Sequence, residues 1–524
     1  MKKFLFVFFI LGTITLSASG SLENVTRDRL IEKFKKVYIG LAPGDSSRGP
    51  VALRLADLLS ERARLQTMEE LGKDCGECRA GEKDRLEALK FYKVGLSSVP
   101  ERSKGKVFAQ MGHLYELLGE APKARALYQD VINKKMGGMA EAEAYISLAE
   151  MAFKSGDFAS AVPFYSNAIE HPGLAKKGYA IYRRAWSYFN QGNYSAAVAA
   201  LTAMLKDPKL LTRSGDSDHT ENLQFKEEVS RDLATFMARQ GVGLKDANLL
   251  YSLSPDRTRL ENVSYLAAEL ERLGQLKASA ELWIFVQQKE SDPLKRFEGQ
   301  MHLAQVYWNL KDLKQAQNAY VNALDLWKAI NGCQGENCSS YKSHMRAYLL
   351  EWHRVEKKAP SEALVTLYEQ YLEVFPEDTV LKVNLARIQQ QLKQWTLSYA
   401  LYIEVLKGYD KNSAETKKVI PDQEALLTTL IDVAESSKEE NLQLKSYQTY
   451  LDLSQARLKE REVRYQLAYI KYKKEDYLSA EKEFYDIATN AGYKGAVPLK
   501  VQAADLVLDI LALLKKDDIV GQRA

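Results

Sequence analysis

Through much of the chain, large apolar residues recur three and four positions apart, which is the period of one helix face. Phe108, Met111, Gly112, Tyr115, Ala124 and Tyr128 stand at offsets 0, 3, 4, 7, 16 and 20. Tyr145, Leu148, Ala149, Ala152, Ala161 and Tyr165 repeat that spacing, and Ile181, Ala185, Tyr188, Ala197 and Leu201 follow it again. Later sets are Leu303, Ala304, Tyr307, Ala316 and Tyr320, then Leu467, Ala468, Ala480 and Phe484. Each set predicts two helices with a turn between them, at Gly119, Gly156, Gly192 and Leu310-Lys311-Asp312. Gly or Asn in such a turn accepts the left-handed backbone that ends a helix. The small residues Gly112, Ala149, Ala185, Ala304 and Ala468 mark where a second helix comes close. A single hairpin of this kind cannot bury its own apolar face, so the pattern predicts an all-α stack of hairpins sharing one core.

At these residues the sequence resembles the tetratricopeptide repeat, a helix–turn–helix unit of about 34 residues. Repeats start near Gly105, Ala142, Gly178, Leu260, Phe297, Met345, Thr379, Leu427 and Arg461. Val51 to Leu71 and the segment around Ala88, Tyr92 and Gly95 fit an earlier, interrupted repeat. Val497 to Leu514 reads as a closing helix. The resemblance implies a right-handed superhelix, an α-solenoid of about nine or ten hairpins. Interruptions divide it into an N-terminal array over 21–211, a polar loop and irregular helical connector over 212–259, and a C-terminal array over 260–524. Leu41 to Pro50 reads as a loop by its turn chemistry, the polar stretch from Thr212 to Asn222 as a flexible connector, and Gly408 to Pro421 as a third break.

The first twenty residues have a different character. Lys2 and Lys3 precede an apolar run from Phe4 to Leu16, and Ser17-Ala18-Ser19-Gly20 supplies small residues. This layout predicts a bacterial secretory signal peptide over 1–20, cleaved after Gly20, with export to the periplasm or beyond. The run is shorter than the ~20 residues that span a bilayer. No membrane span is therefore expected once the signal is removed. Net charge is +4, from 73 Lys and Arg against 69 Asp and Glu. So small a charge gives no field for gathering nucleic acid.

Candidate chemistry is sparse. The four cysteines form two local pairs, Cys75 with Cys78 and Cys333 with Cys338, each in a loop. In an exported chain they read as two loop disulfides. The alternative is a four-thiolate zinc site, for which the two loops would have to meet. Residue 79 is arginine, so the haem-attachment pattern fails. The six histidines show no metal-ligand spacing, and no phosphate-binding loop, dinucleotide fingerprint or nucleophile elbow is present. No catalytic residue, metal or cofactor is expected, and the chain reads as a non-enzyme. The acidic residues on the helices read as solvated faces.

The family resemblance implies that positions 5, 9 and 12 of a first helix line a concave groove. These are Tyr182, Trp186 and Phe189 in one repeat and Tyr465, Tyr469 and Tyr472 in another. Phe153 and Trp308 hold position 12 in two more. Each triplet runs i, i+4, i+7 and so shares one helix face. Exposed, these rings are anchors for a peptide; buried by irregular packing, they are core. Position 2 carries Lys106, Glu143, Tyr179, Glu261, Glu298 and Glu462, which does not fit the family's clamp for terminal carboxylates. The expected function is a scaffold that holds an envelope protein or peptide. The layout is also reminiscent of envelope repeat proteins of gliding and predatory bacteria, which implies a motility or envelope-spanning machine. Two other readings are an accessory that positions a peptidoglycan-acting enzyme and a glycan-binding helical protein.

Overall fold

The computed structural model describes residues 19–72, 79–172, 174, 176–212, 222–330, 338–408, 422–515 and 519. Among them are 24 α-helices and no β-strand. The chain forms two compact units divided at Leu273–Gly274. The first contains α1 (Ser19–Gly40), α2 (Arg48–Leu71), α3 (Glu82–Gly95), α4 (Lys104–Leu117), α5 (Ala121–Asn133), α6 (Gly138–Lys154), α7 (Phe158–Glu170), α8 (Lys177–Asn190), α9 (Tyr194–Lys206), α10 (Leu223–Gln240), α11 (Leu244–Leu253) and α12 (Arg259–Arg272). The second contains α13 (Leu276–Lys289), α14 (Pro293–Asn309), α15 (Leu313–Ala329), α16 (Cys338–Glu356), α17 (Glu362–Val374), α18 (Thr379–Gln391), α19 (Trp395–Lys407), α20 (Gln423–Ser437), α21 (Glu440–Leu453), α22 (Glu460–Lys473), α23 (Tyr477–Thr489) and α24 (Pro498–Leu513). The predicted signal segment falls almost wholly outside the described residues, as do Cys75, Cys78 and Cys333 and most of the loops around 212–222 and 408–421.

The hairpins close as their sequence spacing requires. α4 pairs with α5, α6 with α7, α8 with α9, α14 with α15 and α23 with α22. The small residues at the close approaches are sealed: Ala149, Ala185, Ala304 and Ala468 on first helices are fully buried, and so are Ala124, Ala161, Ala197, Ala316 and Ala480 on second helices. The large residue at offset 20 is also core in every set, whether Tyr128, Tyr165, Leu201, Tyr320 or Phe484.

The hairpin turns are short, and several do two jobs in two or three residues. One residue takes a positive φ and ends the first helix: Gly119 (74°), Gly156 (77°) and Gly192 (80°) in the first unit. In the second unit Gly274 (75°) holds the first such place, and Lys311 (64°), Lys393 (59°), Lys438 (60°) and Glu475 (64°) hold later ones. In four of these turns the next residue then caps the second helix. The Asp157 carboxylate accepts from the Ser160 amide, Asn193 from Ala196, Asp312 from Gln315 and Asp476 from Ser479. Such caps satisfy amides that the first helical turn leaves unpaired.

One expectation needs adjusting. The loop predicted from Leu41 to Pro50 ends early, because α2 begins at Arg48 and Pro50 sits in its first turn, where a missing amide costs nothing. The segment from Leu223 to Leu253 is helical, with α10 packed on α9 and on α12. Among the described residues no helix is long and apolar enough to cross a membrane.

Candidate interaction surface on the first helices

The aromatic residues singled out by their register all lie on first helices, and those on α6, α8 and α14 turn one side toward the next first helix in the stack. Tyr182 is buried and committed. Its hydroxyl lies 2.6 Å from Asp232 Oδ2 and 2.9 Å from Glu228 Oε1, both on α10. Its ring meets Phe225 edge-on at 5.5 Å. Trp186 and Phe189 are half-buried against Phe236, at 4.9 Å and 4.4 Å between ring centroids. The Trp186 indole N–H donates to the same Asp232 Oδ2 at 2.9 Å. Tyr182 is therefore packed between helices, the second of the two readings its register allowed.

Phe153 is half-buried on α6, with the Arg183 guanidinium of α8 over its ring at 3.7 Å. Trp308 on α14 lies 4.6 Å from Trp352 and 6.4 Å from Tyr348, both on α16. Tyr465, Tyr469 and Tyr472 form a stacked row along α22 at 6.3 Å and 6.1 Å. The row leans on the core of α23 and α24, and Lys473 reaches over Tyr469 at 4.8 Å. All three tyrosines stay half-exposed, which leaves one flank of the row open to solvent.

Polar groups that sequence reasoning assigned to solvated faces are built into these junctions. Between α6, α7 and α8, Glu150 accepts from Arg183 twice, at 2.8 Å and 2.7 Å. It also accepts from the Tyr165 hydroxyl and, at 3.4 Å, from Tyr179. Burial pushes the Glu150 carboxyl up, but the paired guanidinium outweighs it and holds the group below its usual range. Asp232 has no such cation. Burial raises it to about 6, against the donation of Tyr182 and Trp186, and Glu228 is raised by burial as well. Tyr182 carries one hydroxyl proton and faces two carboxyl groups. Both contacts become hydrogen bonds only when one of those carboxyls is protonated.

This arrangement has a signed consequence. A carboxyl whose pKa is raised by folding makes the folded state the better proton binder. Stability from this junction therefore rises as pH falls through about 6 toward the ordinary carboxyl value. Asp232→Asn keeps an acceptor for both donors and removes the buried charge. We expect it to stabilise the protein by about 1–3 kcal/mol at pH 7.5 and to flatten the rise between pH 7 and 5. Urea midpoints across that range test this. An unchanged pH slope in the variant would show that Asp232 is not the group responsible.

Of the candidate cysteines, Cys338 opens α16; the other three are outside the described residues. Among the described residues no group of three His, Cys, Asp or Glu side chains is placed to hold a metal ion.

Two segments of the chain match the tetratricopeptide repeat family, residues 179–209 and residues 297–326. They coincide with α8–α9 and α14–α15. No curated protein matches the sequence. Similar solved structures include Naa15/Naa10 bound to HypK-THB, 16% identical over 93% of this chain and 67% of that one, with a TM-score of 0.32. The C-terminal part of a TPR repeat-containing protein from Cytophaga hutchinsonii is 14% identical over 53% of this chain and 99% of that one, with a TM-score of 0.24. Yeast Tom70 is 14% identical over 90% of this chain and 99% of that one, with a TM-score of 0.22.

Proposed function

We propose that this tetratricopeptide-repeat protein is a non-enzymatic scaffold that holds a peptide or partner protein on its first-helix faces. The observation that carries the reading is the repeat itself. Successive hairpins present first helices side by side, with half-exposed rings along them, and such rings are the usual anchors of interfaces. Tyr469 and Tyr472 are the anchors best placed, because their row keeps an open flank. Trp186 serves less well, since its indole is tied to Asp232. The scaffold works after export, in the bacterial periplasm or envelope, within a motility or envelope-spanning assembly. The basic pair, short apolar run and small residues of the first twenty positions support the export. In that oxidising compartment Cys75 pairs with Cys78 and Cys333 with Cys338; that Cys338 is not a free thiol supports the second pairing.

A photo-crosslinking amino acid at position 472 of the protein in its native cell tests the scaffold. A discrete protein adduct is expected. No adduct from a folded, exported chain would remove the anchor role. Adducts to peptidoglycan or its enzymes would make the chain an accessory of cell-wall chemistry instead. N-terminal sequencing of the same sample should begin at Ser21, and a chain that still begins at Met1 would remove the cleaved signal.

A further inference from the structure

Two successive junctions of the first unit use the same registers with different residues, so one can be read as the template for the other. In the junction of α6, α7 and α8, a cation fills the centre. The Arg183 guanidinium pairs with Glu150, lies over Phe153, and shares Glu150 with Tyr165 and Tyr179. One repeat earlier, between α4, α5 and α6, the register of Tyr165 is held by Tyr128 and that of Tyr179 by Glu143. The register of Glu150 is held by His113, that of Phe153 by Glu116, and that of Arg183 by Ser147. The cation is missing and a carboxylate has been added.

The groups left behind are unsatisfied. The Tyr128 side chain is 1% exposed, and its hydroxyl makes no hydrogen bond of ordinary geometry, only a weak one to the Ser147 side chain. The charges of Glu116 and Glu143 also act on it. Glu116 is half-buried, and its Oε1 is sealed from solvent with no partner of its own. Burial raises its pKa, as a lone carboxylate there requires. Lys154 and Lys106 are felt electrostatically by Glu116 and Glu143, but neither forms an ion pair with them among the described residues. Gly112 allows the arrangement: a Cβ there would sit 2.6 Å from the Tyr128 ring. Glu143 and His113 are exposed, while the Tyr128 hydroxyl and Glu116 Oε1 are sealed from solvent, so a group that reaches them must part the side chains that cover them.

We propose that this junction is a binding site for the guanidinium of an arginine on the partner protein, which enters where Arg183 stands one repeat further along. A guanidinium has five N–H donors in a plane and matches carboxylates with two parallel bonds. Glu116 Oε1, Glu143 and the Tyr128 oxygen supply acceptors from three different helices. The assignment rests on the scaffold reading and names the side chain the scaffold recognises.

The test fills the site from within. Ser147→Arg places a guanidinium at the Arg183 register. It should raise the urea midpoint of the mature chain, and the gain should vanish when Glu116→Gln and Glu143→Gln are added. A peptide with one arginine between glycines should bind wild type about tenfold more tightly than its citrulline counterpart, and should not bind the Ser147→Arg variant. Equal binding of the arginine and citrulline peptides would overturn the site, as would arginine binding undiminished by Ser147→Arg. A lysine peptide that binds as well as arginine would overturn the guanidinium assignment. If Ser147→Arg does not fold, Glu116→Gln carries the peptide test alone, with loss of arginine binding expected and unchanged binding decisive against. Crosslinking from position 472 separates this from the broader reading. A partner captured equally by wild type and Ser147→Arg leaves the scaffold standing and removes the arginine site. Capture of nothing removes the anchor role of Tyr472, while the peptide titration still decides the site.

Discussion

Trp352→Ala should cost about 3–5 kcal/mol, the range for deleting a fully buried tryptophan. The side chain is 1% exposed on α16. It packs on Trp308 at 4.6 Å and on Tyr348 at 6.0 Å, so its loss opens a cavity between two first helices. Its indole N–H also donates to Glu356 at 2.8 Å. Glu356 in turn accepts from the backbone and hydroxyl of Ser361, which caps α17. One truncation therefore loosens the stack and weakens the start of the next helix. In a repeat array each hairpin feels mainly its neighbours. Amide exchange should accelerate by roughly two to three orders of magnitude in α14 to α17, while α4 to α9 keep their protection. Trp308 loses its covering ring, and tryptophan emission should shift to the red. Trp352→Phe, which keeps most of the apolar area, should cost less than half as much. Unchanged exchange in α16 would mean that the Trp308–Trp352 contact does not hold these helices together.

Gly178→Ala sets two effects against each other, and their magnitudes decide the sign. In an open helix the change gains about 1 kcal/mol of helix propensity. Here the new Cβ would overlap the carbonyl oxygen of Leu210, with the carbonyl carbon only 2.8 Å away. The obstacle is backbone, the short 3-10 turn Pro208–Leu211 that closes the repeat after α9, and it cannot swing aside as a side-chain tip could. Overpacking of this kind costs about 1–3 kcal/mol and sometimes more. A direct backbone overlap belongs at the upper end, so the net loss should be about 2 kcal/mol, and larger for Gly178→Val. Urea unfolding of both variants measures it. A variant with alanine at 178 that is more stable than wild type would show that α8 and the 3-10 turn do not meet as closely as described.

The fold was legible because the repeat spacing constrains residue types twice, once by helix period and once by the need for small residues where helices touch. Ala161, Ala197 and Ala316 could be placed in the core from their offsets alone. The polar junctions were not legible for a reason of distance along the chain. Glu150 and Arg183 lie 33 residues apart, in different repeats, and neither stands in a local motif. Their partnership appears only when successive repeats are laid in register and the helices are seen side by side. The aromatic stripe of Tyr182, Trp186 and Phe189 could be assigned to a helix face but not to groove or core. The deciding residues, Phe225, Asp232 and Phe236, lie in a stretch that departs from the repeat spacing. Its second helix, α11, has only 10 residues, so α10 could not be identified from sequence as the next first helix in the stack.

The turns carry a last consequence, which concerns how the repeats tolerate random change. Where Gly119, Gly156, Gly192 and Gly274 hold the left-handed backbone, almost any replacement meets the steric cost of that conformation, roughly 1–2 kcal/mol for a residue with a Cβ. Where Lys311, Lys393, Lys438 and Glu475 hold it, the cost is already built in, and replacement by glycine recovers part of it. The same structural position thus resists change in one set of repeats and is an unused reserve in the other. A saturation scan of the chain should show the two sets of turns with opposite signs.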